Sequence, residues 1–478
     1  MAAVWRVFVI IATRLRNHPA TSLPAVNDPA YRRHHQRTDT GCPRHGPSPM
    51  TDQPQPTAPT KPALFLGALA WAMYDWANSA YAAVISTFVF SAYFTKAVAA
   101  DPIAGTEMWG YAISASSFCV AISAPVLGAI ADRGGRRKPW IFVFTLGLVI
   151  ATALMWYVEP SPSSVVLALV LAAAANFTFE TATVFYNAML PDVAGRDRIG
   201  RLSGWAWGFG YAGGIVCLIV LLVGFVQPEV PWLGLDKETA EHVRISGPFV
   251  AIWLALFSLP LFLFTPDTPS RGLPALTAVR DGIATLRGTL KRARDYDGII
   301  VFLIGYMIYM DGLGTMFTFG GIYAAGTFGM EQAEVIQLGI GMSVTAGIGA
   351  FAMAWVDDWM GPKRTILISL LGLIVFGLAI VSVTDKALFW AFALGIGLFV
   401  GPGQAAGRSL MAHLAPDHLR TEMFGFMALA GKATAFVGPA AVAWATSMAE
   451  SQRHGMATVI AFFVVGFILI LRVPDARR

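Results

Sequence analysis

The sequence predicts an all-α integral membrane protein, with twelve transmembrane helices in two six-helix, pseudo-symmetric bundles. Three observations carry this. The 478 residues are 56% hydrophobic and only 13% charged, where a soluble domain carries about 25% charged residues. With a mean hydropathy of +0.59, lipid is the expected solvent. Twelve apolar runs approach or exceed the roughly 20 residues that a spanning helix needs. A short charged loop after the second run recurs after the eighth.

In chain order, residues 1–62 come first and differ from the rest. They are rich in Pro, Arg and His and show no apolar period. Such a stretch buries no core, so a disordered cytoplasmic arm is expected. The run "VWRVFVIIA" is short and interrupted by Arg6, which makes a weak signal peptide. "MTDQPQPTAPTKP" reads as a polar lead into a first span, and Met50 is the expected start. The first bundle, 63–265, holds spans at 64–94, 108–131, 139–158, 163–190, 201–227 and 246–265. A polar connection, 266–297, follows. Its centre, Leu276–Arg294, sets Leu and Ile at helical spacing among basic residues. It reads as an amphipathic helix on the membrane surface or a solvated linker helix. The second bundle, 298–472, holds spans at 298–323, 333–356, 365–384, 387–413, 421–447 and 455–472, before a short tail, 473–478.

Twelve spans put both termini on one side. The connections on the side of the 266–297 linker hold sixteen Lys and Arg residues, against five on the other: Lys96, Lys237, Arg244, Lys386 and Arg453. Lys and Arg accumulate in cytoplasmic loops, so both termini are expected in the cytoplasm. The net charge of +5 is scattered, which argues against a nucleic-acid partner. Cys119 and Cys217 fall in apolar runs and Cys42 in the arm, so buried inert thiols are expected rather than disulfides. No GxxxxGK[ST] loop is present, His413 and His418 form no metal pattern, and His34–His35 lies in a polar tract. An enzyme, a cofactor and a metal are therefore not expected.

The repeated loop is "GAIADRGGRRK" (Gly128–Lys138) and "AWVDDWMGPKR" (Ala354–Arg364). Asp132 matches Asp358, Gly135 matches Gly361, and Arg137 matches Lys363. A second match, "LPD" at Leu190–Asp192 with "APD" at Ala415–Asp417, is followed by paired glycines, Gly204 with Gly425 and Gly210 with Gly431. Parallel six-helix repeats place a binding site near the bilayer midplane between the halves. An acid, a turn glycine and cations suit a bridge between helices that closes one face. The candidate gating residues are Asp132, Arg133, Gly135, Arg137, Asp358, Gly361 and Lys363; the alternative is a basic loop that serves only topology.

"GAIADRGGRRK" is similar to the loop motif of the major facilitator superfamily. "YDWANSAYAAVISTFVF" in the first span resembles the hallmark of the vacuole-effluxer-like (unknown major facilitator) family. So do "NAMLPDVAGRDRIGRLSGWAWGFGYAGG", "GPGQAAGRSLMAHLAPD" and "FGFMALAGKATAFVGP". The resemblance covers about 63–472 and implies the superfamily fold and membrane transport. Its fungal members are amino-acid effluxers of the vacuole, and its bacterial members mostly lack an assigned substrate. Trp359 stands where Arg133 stands in the first loop, so the two loops need not work alike.

The resemblance implies that the first, fourth, seventh and tenth spans line a central cavity. Asp75, Glu180 and Asp311 lie on three of these, Arg408 on the tenth, and Lys432 on the eleventh. A charge at mid-bilayer costs roughly 2.5–3.5 kcal/mol on lenient scales and normally faces protein or water. In the fourth span, Asn176, Glu180, Thr183 and Asn187 share one stripe at about 100° per residue. Asp75, Asn78, Ser79 and Ala82 share a face of the first span, and Asp311, Thr315 and Thr318 one of the seventh. Gln404 sits one turn from Arg408. Three uses remain open. The charges hold a zwitterionic or charged solute, one acid carries a proton, or they form structural pairs such as Glu180 with Arg408, Asp311 with Lys432, or Asp75 with Lys432 or Arg408. Tyr74 and Tyr81 pack or bind.

The expected activity is secondary transport of a small polar solute, an amino acid or related metabolite, by alternating access. The expected setting is export across a bacterial inner membrane by a proton-coupled monomer. The alternatives are a multidrug or metabolite exporter and a non-transporting membrane sensor or scaffold.

Overall fold

The computed structural model describes residues 61–270, 272, 274–291 and 296–475. The expectations on Met50, Cys42, His34–His35, the arm before Lys61 and the end of the linker helix lie outside these residues.

Among the described residues, twelve helices are long and apolar enough to cross a membrane. The first six are Phe65–Val98, Ala104–Gly134, Lys138–Tyr157, Pro162–Ala188, Ile199–Val226 and Glu241–Phe264. The second six are Gly298–Phe328, Glu334–Met360, Pro362–Ser382, Lys386–Leu414, Asp417–Ala449 and Gln452–Arg472. These are numbered below as spans one to twelve. Between the sixth and seventh lies the linker helix Ala275–Lys291. Its side of the molecule is called here the linker face. Thr265 donates to the Gly67 carbonyl and Arg137 to Asp267, so the start of span one and the loop between spans two and three share that face.

Spans one, five and eleven are irregular, span five ending in a π-helical turn at Leu222–Val226. Span one widens into π-helical turns at Tyr81–Phe88 and Phe94–Val98. Span eleven is broken between Arg420–Ala433 and Val437–Ala449. Such bulges and breaks recur at functional sites, because they free backbone groups inside an otherwise closed helix.

The core shows how the halves meet. One cluster joins them: Tyr74, Phe185 and Tyr186 of the first half pack into a continuous body with Tyr309, Leu410 and Phe424 of the second. A second cluster, including Ile85, Phe94, Leu148, Met155 and Leu221, stays within the first six spans. First-half residues near the linker face belong to the joint core, and those at the far end do not. The halves are therefore welded at the linker face. Residues such as Val143, Val166, Ile252, Leu263 and Trp444 turn outward and stay exposed, as lipid-facing side chains do. Cys217 is a buried free thiol as expected, but Cys119 is exposed, because its side of span two faces out of the bundle. Tyr74 and Tyr81 are both buried packing residues.

Candidate functional site: a central path and its closed face

The four mid-span charges on the path form two ion pairs, each crossing between halves. Arg408 of span ten donates to Asp75 of span one at 3.0 Å. Its guanidinium also donates to the Ser203 hydroxyl at 2.9 Å, the Ser203 carbonyl at 2.7 Å and Asn187 at 3.2 Å. Trp71, Tyr186 and Trp207 present ring faces to it at 5.1, 5.7 and 5.7 Å. The Arg408 side chain is 4% exposed. A planar, weakly hydrated cation tolerates such burial when its donors are this fully used.

Lys432 of span eleven meets Glu180 of span four at 2.8 Å, with side chains 32% and 20% exposed. Lys432 thus keeps more exposure than Arg408, while the two acids differ little. Of the expected pairings, Asp75 with Arg408 is formed, whereas Glu180 with Arg408 and Asp311 with Lys432 are not. Asp311 instead accepts from the Gly438 amide at 3.2 Å, at the first turn after the break in span eleven. Among the described residues no cation lies within ion-pair distance of it. Thr315 beside it keeps a buried hydroxyl with no hydrogen-bond partner among the described residues.

The polar stripes divide. Asn187 serves Arg408, whereas Asn176 is buried against Ser116 and Ser117 of span two at 2.6 and 3.3 Å, away from the path. Asn78 donates to Thr183 at 3.4 Å. Thr318 is exposed and bonds back to the Gly314 carbonyl. Gln404 accepts from Tyr211 at 2.7 Å.

A cavity of about 480 Å³ lies in the half away from the linker face. Ser79 and Tyr211 line it with apolar walls that include Trp207, Met316, Phe317 and Phe389. The charged pairs do not line this cavity. Asp75 lies one turn below Ser79, and Gln404, one turn from Arg408, touches Tyr211, so the Asp75–Arg408 pair sits beneath its floor.

The linker face is closed by two mirrored contacts. Asp132, at the end of span two, accepts from the Thr421 amide at 3.1 Å, the Thr421 hydroxyl at 2.6 Å and the Glu422 amide at 3.0 Å. It thereby caps the start of span eleven. Asp358, at the end of span eight, accepts from the Arg201 amide at 3.0 Å and pairs with its side chain at 3.2 Å, at the start of span five. Each acid satisfies free amides of a helix belonging to the other half and meets the positive end of its dipole. Gly135 and Gly361 turn the two loops at φ 90° and 91°, a region closed to most side chains.

The cations are less symmetric. Arg137 reaches Thr421 at 2.9 Å, Asp192 at 2.6 Å and Asp132 at 3.5 Å. Arg420 from the second half also holds Asp192, at 2.6 Å, and bonds Asp417. Lys363, the expected counterpart of Arg137, pairs instead with Asp475 at 3.3 Å. Its loop carries a proline before it where the first carries arginine, so its side chain points to the chain's end. Arg133 donates to Thr285 of the linker helix at 2.9 Å rather than across the halves.

Sequence reasoning missed Asp192, Arg201, Arg420, Thr421, Asp357 and Glu422. The repeated "LPD" and "APD" turns were the available signal for Asp192 and Arg420. Asp357 is 3% exposed and accepts from Ser409 at 3.1 Å. Glu422 is fully buried, with its carboxyl beside the Thr289 hydroxyl of the linker helix.

Twelve spans, a mirrored loop and charges bridging two halves define a class, the transporters of the major facilitator superfamily. A family model described as Major Facilitator Superfamily matches residues 2–218. A second, described as Vacuole effluxer Atg22 like, matches residues 196–478. The chain belongs to this vacuole effluxer Atg22-like family and is a multi-pass membrane protein.

It is 28% identical over 410 residues to the uncharacterized MFS-type transporter YxiO of Bacillus subtilis (strain 168), covering 85% of this chain and 94% of that protein. It is 24% identical over 307 residues to autophagy-related protein 22 of Candida glabrata, covering 57% of this chain and 54% of that protein. The chain thus spans nearly all of the Bacillus relative and about half of the fungal one. Among solved structures, the proton:xylose symporter XylE is similar with a TM-score of 0.66 and 16% identity, over 87% of this chain and 97% of that one. The transporter FucP in its outward conformation gives 0.66 and 14%, over 86% and 98%. At these identities the likeness concerns the fold.

Proposed function

We propose that this chain is a secondary active transporter that moves a small zwitterionic solute, an amino acid or related metabolite, by alternating access. The Glu180–Lys432 pair carries this reading. It joins the two halves at 2.8 Å, yet both side chains remain partly exposed. A solute ammonium replaces Lys432 at the acid, and a solute carboxylate replaces Glu180 at the cation. Binding then loosens one contact between the halves. Asp75–Arg408, with the more buried cation, serves as the deeper lock.

Protons are the coupling ion in this reading. Asp311 suits the carrier role, since a proton there breaks no ion pair. The excess of Lys and Arg makes the linker face cytoplasmic. Both termini then lie in the cytoplasm of a bacterium, with the chain a monomer in the inner membrane. The likeness to vacuole effluxers supports export. No catalytic residue, cofactor, metal or nucleic-acid partner enters the cycle. The apolar cavity wall favours a solute with an apolar body, and a metabolite or drug exporter is the second reading on that ground. A sensor or scaffold predicts no flux at all.

Flux of labelled amino acids in proteoliposomes, with and without an imposed pH gradient, tests the proposal. Wild-type flux rises with the gradient. Glu180→Gln abolishes transport, and Asp311→Asn abolishes only its response to the gradient. Unchanged gradient-driven transport in both variants overturns the assignment.

A further inference from the structure

We propose that the linker helix carries a docking surface for the headgroups of anionic phospholipids in the surrounding bilayer, formed by Arg280, Arg287 and Lys291. The inference rests on how the faces of Ala275–Lys291 are ordered around its axis, at about 100° per residue.

One stripe holds Ala278, Gly282, Thr285 and Thr289 and faces the bundle. Ala278 and Thr289 are buried. Gly282 lies so close to span two that a methyl there would stand 2.9 Å from the Ile130 Cα. Thr285 accepts from Arg133 of the same span at 2.9 Å. A second stripe, about 100° further round, holds Val279, Ile283 and Leu286, which are only partly covered. The third stripe, about 90° beyond, is Arg280, Arg287 and Lys291, and all three are exposed. None forms an ion pair with another described residue. Asp281, the acid of this helix, lies on roughly the opposite side from the apolar stripe.

This order fits a helix lying along the bilayer boundary. The bundle-facing stripe fixes it beside the ends of spans two and eleven, where hydrocarbon gives way to headgroups. Turning the apolar stripe toward the acyl chains puts the three cations sideways, at headgroup level, and Asp281 toward water. Phosphodiester oxygens are the acceptors such cations meet there, and an anionic leaflet attracts each one. Because Thr285 bonds the cation next to Asp132, a headgroup held here also holds the helix against the closed face.

Hydrogen–deuterium exchange of the full-length protein tests this in nanodiscs of phosphatidylcholine alone and of phosphatidylcholine mixed with phosphatidylglycerol. Amides of 275–291 are expected to exchange more slowly with phosphatidylglycerol, and added salt is expected to erase the difference. Neutralising cations in Arg280→Gln, Arg287→Gln and Lys291→Gln is expected to weaken the preference about fivefold per cation. The pair Arg280→Lys and Arg287→Lys is expected to keep it. Equal exchange in both lipids overturns the proposal. So does undiminished preference in the triple Gln variant, or the same protection from inorganic phosphate added to phosphatidylcholine discs.

Discussion

Arg408 of span ten and Asp75 of span one form a 3.0 Å ion pair that joins the two halves from inside a dry aromatic shell. Removing one member leaves the other charge buried and uncompensated, which costs about 3 kcal/mol or more. Asp75→Asn is expected to lower the melting temperature in detergent markedly. The double variant with Arg408→Gln is expected to be less damaged than the two single losses added together, as coupled partners are. Strict additivity would show that the pair does not act as a unit.

Glu180→Gln and Lys432→Gln are expected to behave differently. Both partners are partly exposed, so losing this pair costs less than losing one that is fully buried. Unfolding should therefore shift little, while the thermal stabilisation given to the wild type by a transported amino acid disappears. Thermal-shift titration separates the two effects. A ligand shift that survives both substitutions removes this pair from the site.

Gly204 and Gly425 occupy mirrored helix crossings between the halves. A Cβ on Gly204 would lie 2.6 Å from the Ala350 carbonyl, and one on Gly425 2.6 Å from the Ala124 carbonyl. Neither backbone can yield cheaply, so Gly204→Val and Gly425→Val are expected to open the linker face. Spin labels on the ends of spans two and eleven should report longer distances for Gly425→Val. An unchanged distribution would mean that the crossing is not tightly packed.

Glu422 is a fully buried carboxyl beneath a face held shut by Asp132, with the Thr289 hydroxyl beside it. A buried polar group short of partners costs about 1–3 kcal/mol, more when charged. Glu422→Gln removes the ionisable oxygen at nearly constant shape and is expected to favour the closed linker face. The same spin-label distances should narrow toward the short population, and transport should slow. A shift toward longer distances would contradict it.

Span positions and the two-bundle plan were legible because hydropathy accumulates locally over some 20 residues. The paired motifs were also legible: Asp132 with Asp358 and Gly204 with Gly425 do occupy mirrored crossings. Asp75, Glu180, Arg408 and Lys432 stood out because a charge in an apolar run is rare. Which acid meets which cation was legible only as a choice of Lys432 or Arg408 for Asp75, and the partner of Glu180 was not legible. That depends on helix rotation and tilt, and it separates Glu180 from Arg408 by joining each to another partner. Asn176 fits the stripe by spacing but turns to span two, since neighbouring serines there offer better partners. Glu422, Arg201 and Arg420 sit at helix starts, where a charged residue looks like ordinary loop composition until the facing helix is known. Lys363 kept its motif position and lost its partner to Asp475.

Counterflow in proteoliposomes measures exchange through the path most directly, because it needs no driving ion. Vesicles loaded with an unlabelled amino acid are expected to accumulate the labelled one transiently with wild-type protein, and to fail with Glu180→Gln. Absence of counterflow for every amino acid offered to folded wild-type protein, or full counterflow in Glu180→Gln, would contradict transport of a zwitterion through this pair.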